Sequence, residues 1–130
     1  MDISTLAISQ EREDAGVVVH IADAQGELQF YDGERPITIT VGGKYSKTYR
    51  EAMFAQAREI RRRGGIPLPP DEQFRRGIQF VASCILAWEG FTSGDQACPF
   101  SRDTAVALLT MAPWIMEQLE DAIFNRRASV

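Results

Sequence analysis

Histidine is nearly absent from this chain and cysteine is scarce: His20, Cys84 and Cys98 are the whole complement in 130 residues. With one imidazole no two-histidine metal site can be assembled. A zinc site built from the three residues would lack a fourth ligand and the C-x-x-C pairing that makes such sites specific. A cysteine nucleophile would need His20 as its base, and nothing in the sequence brings His20, inside the apolar run GVVVHIA, toward either thiol. Both cysteines therefore read as packing residues. No run approaches the roughly 18 uncharged apolar residues of a membrane span. The start, MDISTLAISQEREDAG, lacks the basic and apolar regions of a secretory signal, which implies a cytosolic protein with reduced, unpaired thiols. Excess positive charge is missing too: the net charge of −4 speaks against a dedicated nucleic-acid binder.

Nucleotide-binding glycine patterns are likewise missing, since Gly42-Gly43-Lys44 lacks the flanks of a phosphate loop. Asp23, Glu27, Asp32, Glu34, Glu89 and Asp95 lie in or beside turns, but no pair has a spacing tied to acid–base catalysis. The composition is that of an ordinary globular protein, 45% apolar and 25% charged, and the length suits one domain. No catalytic, cofactor-binding or metal-binding residue is assigned.

The periodicity predicts an α+β fold, mainly α, with about four helices and a small N-terminal antiparallel β element. Residues 1–15 carry no strong pattern and are expected to be flexible. The β-rich head covers residues 16–43: GVVVHIA and ELQFYDG read as a hairpin across DAQG, and in ITITV residues Ile37, Ile39 and Val41 alternate with threonines as in a half-buried strand. The helical body covers residues 46–127. Ser46 is a candidate N-cap for a helix over 47–63, with Tyr49, Met53, Ala57 and Ile60 as its apolar stripe. GGIPLPP then forbids helix. A central, nearly all-apolar helix is expected from Asp71 to Gly90, through Phe74, Ile78, Val81, Ile85 and Trp88. Ser101 caps a further helix, and Pro113 opens the last, with Ile115, Leu119, Ala122 and Ile123 inward.

Two features outlast the core assignment. Arg61, Arg62, Arg63, Arg75 and Arg76 flank the GGIPLPP connector at one end of the molecule, where they could meet an acidic partner or phosphates; Arg126-Arg127 suit the negative end of the last helix dipole. Trp114, Met116 and Phe124 fall off the inward face of the last helix and are a candidate partner or self-assembly surface.

The order of ITITVGG, SKTYREAMFAQARE, a hydrophobic segment ending LAWEGF, then CPFSRDTAVALLTMAPWIMEQLEDAI resembles the small tail assembly chaperones of long-tailed, lambda-like phages. The residues that carry the resemblance are Trp88, Gly90, Phe91, Pro99, Ser101, Ala105, Leu108, Leu109, Pro113 and Trp114. It implies a non-enzymatic protein of the host cytoplasm that coats the tape measure protein during tail morphogenesis and is absent from the mature virion. It also implies self-association and a ribosomally frameshifted longer form that recruits the tail tube protein. A virion head–tail connector component and a DNA-contacting regulator using the clustered arginines are the alternatives.

Overall fold

The computed structural model describes residues 1–125; Arg126 and Arg127 lie outside them. The fold is α+β and mainly α, with five helices among the described residues rather than four. The added one is α1, Ile3–Ala15, in the segment expected to be flexible. Asp2 caps it by accepting the Ser4 N–H at 3.0 Å. Gly16, at φ 89°, ends it where a side chain would stand 2.7 Å from the Val41 carbonyl oxygen.

Strand β1, Val17–His20, pairs antiparallel with ITITV, not with ELQFYDG: β4, Thr38–Val41, matches Val19 to Ile39 and Val17 to Val41. The expected hairpin survives only near its tip, where Ala22 bridges Leu28 and the Asp23 N–H donates to the Glu27 carbonyl at 2.8 Å. Between them lie β2, Phe30–Tyr31, and β3, Arg35–Pro36, a two-stranded pair. The alternation in ITITV holds as read, with Ile39 and Val41 fully buried and the threonines half-buried.

Ser46 caps α2, Lys47–Arg62, by accepting the Tyr49 N–H at 3.1 Å. From α1, the Asp14 carboxylate accepts the Lys47 N–H at 2.8 Å, so two of the orphan donors at this helix start are satisfied by side chains. After the connector, α3 runs from Pro70 to Cys84 and stops six residues short of Gly90. The chain continues as β5, Ile85–Glu89, the third strand of the sheet, ordered β1-β4-β5. Ile39 is registered with Trp88 and Val41 with Ile85, with a bulge between Thr40 and Val41. A short apolar run satisfies helical and strand periods alike, and here the open edge of β4 decides, because its unpaired backbone groups take up those of residues 85–89. The "body" thus donates a strand to the "head", and the two form one sheet.

The crowded segment after Trp88 is a small hairpin, β6 (Thr92–Ser93) with β7 (Gln96–Ala97). Trp88 fastens it: the indole N–H donates to the Cys98 carbonyl at 2.9 Å, and the ring lies 4.8 Å from Phe91 and 5.4 Å from Phe100. Ser101 then starts α4, Arg102–Met111, in a reciprocal capping box with Thr104. Pro113 opens α5, Pro113–Asn125. The core joins Val19, Ile39 and Val41 of the sheet to Ile78 and Val81 of α3, Leu109 of α4, and Ile115, Leu119 and Ile123 of α5. Gln118 of α5 holds the chain beyond β1 with two bonds, accepting from the Ala22 N–H at 2.8 Å and donating to its carbonyl at 2.9 Å.

Candidate partner-binding surface

The face that α2 turns to the body is a polar arc. Ala52 is buried there, and Gln56, Glu59 and Arg63 are half-buried. Of the apolar stripe Tyr49, Met53, Ala57 and Ile60, the last three are exposed, Met53 at 43% and Ile60 at 50%, and Phe54, outside the stripe, is exposed at 59%. This is a correction to the hydropathy reading. The body can accept the polar arc because its charges find partners across the α2–α3 contact, which no count of apolar residues reveals. Only Tyr49 stays in the packing, its ring edge-on to Phe80 at 5.5 Å.

The arginines do gather at one end. Arg63 faces Glu72 at 3.6 Å, Arg76 faces Glu59 at 3.9 Å, and Arg62 faces the same Glu59 at 3.6 Å, so the end of α2 is tied to the first turns of α3 by shared carboxylates. These separations exceed the roughly 2.7–2.9 Å of a charge-assisted hydrogen bond. Arg63 Nε and Arg76 Nη1 are shut off from solvent without a hydrogen-bond partner. A groove of about 390 Å³ runs between α2, the connector and α3, lined by Ile60, Ile66 and Leu68 together with Arg63, Gln73 and Arg76. Arg75 borders a shallower neighbour beside Glu72. Phe74 stands exposed on the same helix. Glu59 and Glu72, which place these arginines, carry no signal in the sequence that would have singled them out.

On α5 the three residues of interest part company. Met116 packs against the core, with its methyl carbon 3.7 Å from where a Gly77 side chain would begin. Phe124 is 39% exposed but stacks parallel on Phe80 at 6.4 Å and meets Tyr49 edge-on at 6.0 Å. Trp114 is also partly open, at the start of the helix. The second apolar side of α5 is thus largely turned onto α2 and α3, while uncovered apolar side chains stand on α2, the connector and the outer side of α3, and also on α1 (Ile3, Leu6 and Ile8) and at Val18, Phe30 and Met111.

The remaining candidates for chemistry sit apart from this surface. Cys84 is fully buried where α3 meets β5, and burial pushes its thiol from 9.0 up to about 12, against a smaller downward pull from Arg102. Cys98 is half-buried, and both thiols are free. A ring nitrogen of His20 lies 2.9 Å from the Gln29 carbonyl oxygen, with the ring edge-on to Phe30. Among the described residues no three His, Cys, Asp or Glu side chains form a metal-sized cluster. Among the described residues no helix is long and apolar enough to cross a membrane.

A small helical body on a three-stranded sheet, with apolar side chains set among arginines at one end, places the protein in the α+β class, mainly α. The chain belongs to the YdaY prophage protein family, whose sequence profile matches residues 43–124, from the glycines before α2 almost to the end of α5. It is therefore of phage origin. No curated protein and no solved structure matches it.

Proposed function

We propose that this prophage protein is a tail assembly chaperone: it binds and solubilises the tape measure protein during tail morphogenesis, associates with its own copies, and leaves before the virion is complete. The observation that carries this reading is the surface of α2, the connector and α3, where Ile60, Ile66 and Leu68 line a groove flanked by Arg63 and Arg76. An amphipathic helix of the tape measure protein is its occupant, with apolar anchors in the groove and carboxylates toward the guanidinium groups. Many weak copies of this contact along one extended partner would bind tightly through multivalency, so no deep pocket is needed. A frameshifted longer form would bring in the tail tube protein. A non-enzymatic role is part of this reading.

Light scattering coupled to size exclusion tests the proposal, using the protein with a predicted-helical fragment of the tape measure protein from the same genome. A defined co-complex that Ile66→Asp weakens is expected. No co-elution at any salt concentration would send the reading back to a connector component of the virion, which is told apart by its retention in purified particles. A DNA-contacting role would show instead as duplex binding that falls steeply with salt.

A further inference from the structure

We infer that α1 of one copy docks on the outward face of α2 of a second copy. The inference rests on the self-association in the reading above and is independent of the tape measure assignment. Two helices keep apolar side chains uncovered in the single chain. Helix α1 buries no residue, and Ile3, Leu6 and Ile8 stand exposed along it. A helix of this length is marginal in water unless something packs on it. Helix α2 exposes Met53, Phe54 and Ala57 on the side away from the groove that Ile60 lines. That spacing of three and four residues is what a second helix reads.

Charge selects the occupant. In α2, Lys47, Arg50, Arg58, Arg61 and Arg62 outnumber Glu51 and Glu59, so two copies of α2 laid together would oppose net positive charge. In α1, Glu11, Glu13 and Asp14 outnumber Arg12. Helix α5 is acidic as well, but its Ile115, Leu119 and Ile123 are buried in its own core. Of the open apolar side chains on α5, Phe124 stacks on Phe80 and Trp114 is 39% exposed, whereas Ile3, Leu6 and Ile8 of α1 are all more open, so α1 is the better occupant. Ile8 and Glu11, three residues apart and both exposed, share one of its faces; they fit Phe54 and the arginines at 58 and 61.

The same chain does not make this contact. Asp14 is held at the first residue of α2, Gln10 donates to the Tyr45 carbonyl at 2.9 Å, and Gly16 follows at once, packed on Val41, so β1 begins without slack. Exposure of Ile3 and Leu6 shows α1 leaving its own body rather than lying along α2.

Sedimentation of the full chain decides the matter, with Ile8→Asp and Phe54→Asp as variants whose folding is checked by circular dichroism and melting. Wild type is expected as a multiple of 14.5 kDa, and each variant as a monomer with an unchanged melting point. A labelled peptide of residues 1–15 is then expected to bind the Ile8→Asp protein at least tenfold tighter than the Phe54→Asp protein, and more weakly as salt rises. A monomeric wild type, an assembly that survives both substitutions, or a peptide indifferent to Phe54→Asp each overturns the inference. Retention of the tape measure fragment by a monomeric variant would leave the chaperone reading standing by itself.

Discussion

At the scale of single residues, the two helix-capping serines share a chemistry but not a setting. Ser101 caps α4 in the open, whereas Ser46 is buried and its hydroxyl also donates to the Gly43 carbonyl at 2.7 Å. Ser101→Ala should therefore lower stability by about 1 kcal/mol, the usual loss of a cap. Ser46→Ala removes a cap together with the buried hydroxyl's second bond, leaving the Gly43 carbonyl only the Ser46 N–H, and should reach about 2 kcal/mol. Urea unfolding of the two variants checks the order, and equal losses would count against it. Gln118 presents the same logic with both ends of an amide. Gln118→Leu strands the N–H and C=O of Ala22 against an apolar side chain, a loss of about 1–3 kcal/mol in the same experiment. Ser46 and Ser101 could be picked out of the sequence because an N-cap is a local signal, a hydroxyl just before a helical period. Gln118 could not, since its partner lies 96 positions away.

At the scale of elements, what was legible followed the same division between local and distant causes. Helices α2, α4 and α5 and strand β4 could be read from period, caps and prolines. The start of α1 is carried by the Asp2 cap and its end by Gly16, but its apolar content is too thin to register as a period. Residues 85–89 read as helix because ILAWE continues the apolar run of α3; only the free edge of β4 makes them a strand. On α2 the stripe was found, but apart from Tyr49 it stays exposed, and the residues half-buried against the body are Gln56, Glu59 and Arg63. The candidate surface was half visible: the arginines could be named, while Ile66, Leu68 and the carboxylates that hold the arginines could not. The junction of α1 with α2 carries its own prediction. The Asp14 carboxylate accepts from the Lys47 backbone N–H and from Gln10, and these bonds hold its pKa below the ordinary 3.8. A lowered folded pKa means that the stabilisation is complete above the unfolded value and disappears as pH falls through the folded one. The stability gap between wild type and Asp14→Asn should thus be constant near neutrality and close below about pH 4. A gap that persists at pH 2 would show that the carboxylate charge is not what joins the two helices.

At the scale of the whole molecule, β5 decides how the chain comes apart. Had residues 16–43 and 46–127 been a head and a body joined by a hinge, each could unfold alone. The pairing of β4 with β5 places a strand from the second half at the edge of the first. Helix α5, from the end of the chain, covers Val19 and Ile39 and bonds Ala22 through Gln118. One core then spans both, and a single cooperative transition is expected. Cys84 reports on it directly, since it sits fully buried at the α3–β5 junction with a thiol pushed up to about 12, and so can react only when that junction opens. In the unfolded chain the same thiol returns toward 9.0, so raising pH from about 9 toward 12 ionises the unfolded form first and lowers stability. Thiol labelling across a urea series should show Cys98 reacting readily under native conditions. Cys84 labelling should track the loss of tryptophan fluorescence and of helical circular dichroism with one midpoint. If Cys84 became reactive while the helical signal was intact, the sheet would be opening independently of the helices, and the head and body would be separate units after all.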